Sequence, residues 1–147
     1  MAVKDGKSMK RAGAFFQLVY HFTWSTRDRL PLITHAVEER LYPYIGYKCK
    51  ELDYRLHAVN GTEDHIHVLV SLTPGQLVAD AAKNLKGSSS HYINKESGLD
   101  VFLYWQDGYG VVSLRESEIP KVVMYIKNQK EHHRDKKLSD LLERMQE

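Results

Sequence analysis

His65 and His67 stand two apart in the run Glu63-Asp64-His65-Ile66-His67-Val68-Leu69-Val70-Ser71-Leu72. On a β-strand successive side chains point to opposite faces, so these imidazoles project side by side, close enough to bind one metal ion. The alternate row of Ile66, Val68, Val70 and Leu72 is wholly apolar, as expected of a buried strand. Farther along, Tyr125 and Gln129 are one helical turn apart, which puts a phenol and an amide oxygen on the same side of a helix at the edge of its apolar stripe. A His-x-His pair alone is weak evidence, because histidines on a strand face are often ordinary half-exposed polar residues. The elements around both pairs therefore have to be read.

The first strand is expected over Phe15 to Ser25, with Phe16, Leu18, Tyr20, Phe22 and Trp24 on one face and Gln17, Val19, His21 and Thr23 on the other. Thr34 caps a helix over 35–52 with Val37, Leu41, Ile45 and Cys49 inward, kinked or broken at Pro43. Tyr54 to Asn60 alternates, placing Tyr54, Leu56 and Ala58 opposite Arg55, His57 and Val59, and a Gly61-Thr62 turn joins it to the histidine strand as an antiparallel hairpin. A second helix over 76–95 turns Leu77, Val78, Ala81, Ala82 and Leu85 inward, weakened in the middle by Gly87 and Ser88-Ser89-Ser90. Two strand-like pieces follow, Phe102 to Trp105 and Gly110 to Arg115. Ser117 then caps a helix over 118–137 whose stripe is Ile119, Val122, Val123 and Ile126.

This order predicts an α+β fold, the ferredoxin-like split βαβ plan, with an antiparallel sheet covered by helices on one face and open on the other. His65 and His67 belong to the open face, which His21 and His57 share. The 147 residues fit one domain, with 1–12 as a basic arm and 138–147 as a C-terminal extension. A net charge of +2 does not by itself announce a nucleic-acid binder, but Lys83, Lys86 and Lys95 stand in an acid-free stretch. Cys49 is the single cysteine, so an intrachain disulfide, a zinc ribbon and a CxxC site are excluded. Without an apolar run of membrane-spanning length or a signal peptide, the expectation is a cytoplasmic protein.

Five ordered segments carry a resemblance: Tyr20 to Arg29 (YHFTWSTRDR) with Pro31-Leu32, Asp64 to Ser71 (DHIHVLVS), Leu85-Lys86-Gly87, Trp105-Gln106-Asp107-Gly108-Tyr109, and Tyr125-Ile126-Lys127-Asn128-Gln129 followed by Glu131-His132-His133. Across 15–137 the chain resembles the single-tyrosine HUH transposases of the insertion-sequence 200 type, especially the branch associated with repetitive extragenic palindromes. The resemblance implies cleavage and rejoining of single-stranded or hairpin DNA, with Tyr125 as nucleophile and His65, His67 and Gln129 as metal ligands. It also implies a homodimer with shared active sites, and Mg2+ or Mn2+ as the ion, although two imidazoles and an amide suit zinc or manganese better than magnesium.

A phenol of pKa ~10 is a poor nucleophile at neutral pH unless it is aligned and loses its proton, and a divalent ion polarises the scissile phosphate. Asp64 can orient His65 or be an exposed turn acid. Arg27, Arg29, Lys83 and Lys86 are candidates for DNA phosphate contacts against a solvated surface role. Trp105 and Tyr109 either stack on bases or sit in a core or dimer contact. Trp24 reads as core, and His132 and His133 as solvated residues of a basic helix end. Two other functions fit parts of the pattern. An RNA- or single-stranded-DNA-binding module would share the sheet but stack bases on central aromatics. A metal-dependent phosphodiester hydrolase would use the histidines with water as nucleophile, leaving Tyr125 without a role.

Overall fold

The computed structural model describes residues 10, 11 and 13–131. Its strands are Lys10–Arg11 (β1), Ala14–Phe15 (β2), Leu18–Ser25 (β3), Arg55–Gly61 (β4), His65–Leu72 (β5) and Gly110–Leu114 (β6); its α-helices are His35–Glu51 (α1), Val78–Lys95 (α2) and Ile119–Lys127 (α3). β1 and β2 form a small separate hairpin, and the other four strands form an antiparallel sheet in the order β4-β5-β3-β6. The expected α+β architecture is therefore present. The expected arm at 1–12 and extension at 138–147 fall almost wholly outside the described residues.

Period-two patterning supplies the first layer. Phe22, Trp24, Ile66, Val68, Val70 and Leu72 pack against Val37, Leu41, Ile45 and Cys49 of α1 and Ala81, Ala82, Leu85 and Ile93 of α2. Thr34 caps α1 by accepting a hydrogen bond from the Val37 N–H at 3.3 Å. The helix neither ends nor breaks at Pro43. Its buried stripe at four-residue spacing anchors both halves to the core, which outweighs the lost backbone bond. The serines of α2 likewise leave it intact: their hydroxyls donate back to carbonyls of their own helix, as Ser88 does to Asn84 at 2.7 Å. Leu77, expected inward, precedes this helix and is exposed.

The second face is not left open. Val19, Ala58 and Leu69 form a smaller cluster there with Val122 and Ile126 of α3, and Leu114, Ile119, Val123 and Tyr125 pack around it. Burial of Val122 and Ile126 contributes roughly 3–6 kcal/mol, enough to hold a helix too short to persist alone. Ala58 reaches this face because the β4–β5 register shifts between Leu56 and Ala58, so Leu56 and Val59 point to the first core instead of to opposite sides. β5 in consequence is buried along all eight residues.

Several boundaries differ from expectation. β3 begins at Leu18 and not at Phe15, which belongs to β2, and α2 begins at Val78. The 102–105 segment is not a strand; it meets the sheet through a single bridge from Trp105 to Thr26. Ser117 does not cap α3. A 3-10 turn, Glu116–Glu118, leads into it, closed by a hydrogen bond from Arg115 N to Glu118 Oε1 at 2.8 Å. The helix is interrupted at Asn128 (φ −99°, ψ 23°), after which Gln129 to Glu131 turn helically again; the rest of the expected 118–137 helix lies outside the described residues.

Gly61 ends β4 where the hairpin comes closest to itself. A Cβ there would lie 2.1 Å from the His65 carbonyl oxygen, so a side chain is excluded.

Candidate active site

The antiparallel register of β3 and β5 puts Thr23 opposite His67 and His21 opposite Leu69, all on the face that α3 covers. His67 Nδ1 lies 2.8 Å from His21 Nε2 and 3.2 Å from Thr23 Oγ1. His65 Nδ1 lies 2.9 Å from Asp64 Oδ1 and 3.0 Å from Thr62 Oγ1. In both rings the Nδ1 side is thus occupied by a neighbour that fixes ring orientation, which directs Nε2 to any shared ligand. The rings are 5.2 Å apart between centroids, at 75° to each other.

Electrostatics favour the Asp64–His65 pair. The hydrogen bond with His65 and the nearby Arg29 guanidinium, 3.3 Å away, hold the Asp64 carboxyl down to about 2. It is therefore a charged acceptor throughout the neutral range.

Helix α3 delivers the second pair. Tyr125 stands edge-on to His67, with ring centroids 5.9 Å apart and planes at 86°. Gln129, fully buried, brings Oε1 to 3.4 Å from His65 Nε2. Two donors bound to one ion at ~2.1 Å and near-right or tetrahedral angles stand ~3.0–3.4 Å apart, so this pair fits a shared cation. Among the described residues no three His, Cys, Asp or Glu side chains converge for the purpose. The fit depends on the amide as a third donor.

The end of α3 is fastened from below by the strand next to His67. Asn60, paired with His67 across β4 and β5, donates Nδ2 to the Ile126 and Lys127 carbonyls at 3.0 Å each. Lys130 Nζ donates to Asn60 Oδ1 at 3.1 Å and the Gly61 carbonyl at 3.0 Å, and pairs with Glu38 of α1 at 2.7 Å. Asn60 and Lys130 were not singled out from the sequence, nor were Thr23 and Thr62; each gains its role only through strand pairing or helix docking.

The remaining candidates separate. His57 shares the face but bonds Ser71 Oγ at 2.8 Å, and burial pushes its imidazole below the ordinary range. Arg27 and Arg29 are exposed on one turn, and Lys83 is exposed on α2. Lys86 is half-buried and donates to the Gln106 and Gly108 carbonyls at 2.8 and 2.7 Å, so its ammonium ties α2 to the 106–108 loop. Trp105 is a core residue, donating Nε1 to Ser89 Oγ at 3.0 Å, and Tyr109 packs on Phe22. Trp24 is fully buried, as expected. His132 and His133 lie outside the described residues.

Comparison with known proteins gives the family and the fold. Residues 14–129 match the family described as "Transposase IS200 like". The ISDra2 transposase TnpA of Deinococcus radiodurans is 28% identical over 133 residues, covering 82% of this chain and 89% of the relative. Among solved structures, a protein of the same organism assigned as a transposase superposes with a TM-score of 0.66 at 25% identity, covering 82% of this chain and 96% of the other. A REP-associated tyrosine transposase bound to a REP hairpin shares the fold with a TM-score of 0.61 at 17% identity, covering 84% and 73%. From the match over most of its length, this chain belongs to the IS200-like transposase family.

Proposed function

We propose that the chain cleaves and rejoins single-stranded DNA through a 5′-phosphotyrosine on Tyr125. The observation that carries the proposal is the seating of Tyr125 against His67 while Gln129, one turn later, meets His65. In the forward step the Tyr125 oxygen bonds to the scissile phosphorus, the phosphorus bond to the 3′ oxygen breaks, and the phenolic proton leaves; the products are a phosphotyrosine and a 3′-hydroxyl. One phosphodiester replaces another, so the 3′-hydroxyl can reverse the step without a further energy source.

His65, His67 and Gln129 would hold a divalent cation, Mg2+ or Mn2+. When bound, such an ion polarises a phosphate and offsets the charge building on its oxygens. Asp64 and Thr62 hold the His65 ring, and His21 and Thr23 hold the His67 ring, so neither must reorganise. The substrate we favour is hairpin DNA with unpaired flanks. A REP hairpin is what the fold neighbour of known structure binds. A homodimer is the assembly in which we expect the protein to act, with α3 of one copy able to serve the histidines of the other. Its attachment is one small apolar cluster and a few polar bonds from Asn60 and Lys130, which such an exchange could re-form between copies.

The test is incubation of hairpin DNA with Mn2+ and the protein, followed by denaturing electrophoresis. A covalent adduct on Tyr125 and a free 3′-hydroxyl are expected, and Tyr125→Phe should keep DNA binding and lose the adduct. Cleavage without an adduct would favour the hydrolase, and binding without cleavage the recognition module. Undiminished cleavage by Tyr125→Phe would refute the proposal. Complementation between His67→Ala and Tyr125→Phe in a mixture would report sharing of sites.

A further inference from the structure

Away from the histidines, the least expected surface lies where residues 102–106 run past the turn at 26–30. Phe102 and Tyr104 are 60% and 45% exposed, with rings 4.3 Å apart between centroids. The Arg27 guanidinium stands over the Tyr104 ring, 5.5 Å from its centre. Two adjoining aromatic rings left in water, with a guanidinium beside them, form a surface whose apolar area folding has not used.

This exposure does not come from a loose backbone. Asn94 brackets Leu103 between the two rings, accepting from its N–H at 2.7 Å and donating to its carbonyl at 2.8 Å, and Leu103 itself is buried. Arg27 N donates to the Tyr104 carbonyl and Gln106 N to the Ser25 carbonyl, both at 2.9 Å. On the other side, Asp28 and Arg29 both adopt left-handed conformations, φ 55° and 56°, which are uncommon for residues with side chains. That turn is held by Asp28 N to Gln106 Oε1 at 2.8 Å and by Thr26 Oγ1 to the Leu30 carbonyl at 2.6 Å. Strained backbone of this kind persists where the surroundings over-determine it, often at ligand clamps. Here it sets Arg27 beside the rings and Arg29 against Asp64.

The same turn links the rings to the candidate active site. Thr26 N donates to the Asp64 carbonyl at 2.8 Å on one side, while Arg27 N reaches Tyr104 on the other. The aromatic segment and the residue before His65 are thus about two strand spacings apart, ~10 Å, or roughly three stacked nucleotide steps at ~3.4 Å. We infer that Phe102, Tyr104 and Arg27 form a stacking shelf for an unpaired base of single-stranded DNA, with Arg27 and Arg29 facing its phosphates. The inference rests on the transposase reading above and gives it a site for the flanking strand. Aromatic rings interleaved with guanidinium groups match single strands, whose bases offer free π-faces; a duplex would meet cations without needing the rings.

The test uses the full chain with Tyr125→Phe, so that DNA is bound and not cut. Fluorescence anisotropy is read on two probes, a blunt hairpin and the same hairpin with a short single-stranded tail. Tyr104→Ala and Phe102→Ala should each weaken binding of the tailed probe about 5- to 100-fold and leave the blunt probe within about twofold, while Tyr104→Phe keeps tail binding. Arg27→Gln should lower the slope of affinity against salt by about one. Equal losses on both probes, or none, would overturn the shelf. So would a change of oligomeric state on light scattering with tail binding intact, which would make the rings a contact between copies. If the unmutated protein forms its tyrosine adduct and tail binding ignores Tyr104, the shelf fails alone. If it forms no adduct but binds the tail through Tyr104, the shelf stands and the transposase reading falls.

Discussion

Asn60→Ala should loosen α3 from the sheet without loosening the sheet itself. The substitution removes two donor bonds to the carbonyls of Ile126 and Lys127 and one acceptor for Lys130. The Ile126 bond is partly shielded and is worth about 1 kcal/mol, and the two exposed bonds about 0.5 kcal/mol each, because water replaces them. The sum of about 2 kcal/mol falls on one equilibrium, docking of α3, and corresponds to about a 30-fold increase in the undocked fraction. Native-state hydrogen exchange is the assay. Amides of α3 should lose protection by that factor, while those of β5, which open only with the whole domain, should change little. Asn60→Asp sharpens the test: it retains shape and strengthens the pairing with Lys130, yet cannot donate, so α3 should still loosen. If β5 loses protection as much as α3, or if α3 is unaffected, the assignment of Asn60 as a local fastening is wrong.

Three further outcomes are expected. Asp64→Asn should weaken Mn2+ binding by about 10- to 100-fold on calorimetry, because the charged acceptor that orients His65 is lost; unchanged affinity would leave Asp64 a turn residue only. Gly61→Ala forces backbone apart at the hairpin and should cost about 2–3 kcal/mol, read as a fall in Tm of about 6–12 °C. Burial pushes the Cys49 thiol up to about 12, so a thiol-specific reagent should fail on the native protein at pH 8 and react fully in denaturant.

Much of this was legible from period and spacing alone. The alternation in β3 and β5 located both the first core and the histidine pair, and the four-residue step from Tyr125 to Gln129 put those side chains together. What escaped was set by contacts between distant segments. The second face carries few apolar residues on any one strand: Val19, Ala58 and Leu69 come from three, and Ala58 only through a register shift. No local window could show that α3 would cover them. Pro43 obeyed the core in preference to its own backbone rule. At 102–105 the sequence singles out Trp105 alone; buried Trp105 and exposed Tyr104 are neighbours, and contacts with Ser25, Thr26, Arg27 and Asn94 set which one faces water.

Because β5 is enclosed along its whole length, it should behave unlike an ordinary antiparallel strand under mutation. A one-sided strand forgives polar replacements at every second position; this one offers no forgiving position. A saturation library would show an unbroken intolerant block from His65 to Leu72, even when the selection asks only for soluble expression. Loss of function there will carry a folding component, since removing the His67 ring also opens a hole beside Tyr125 and His21. Chemistry is more cleanly dissected from α3, where the Tyr125 hydroxyl can be deleted while its ring stays in place.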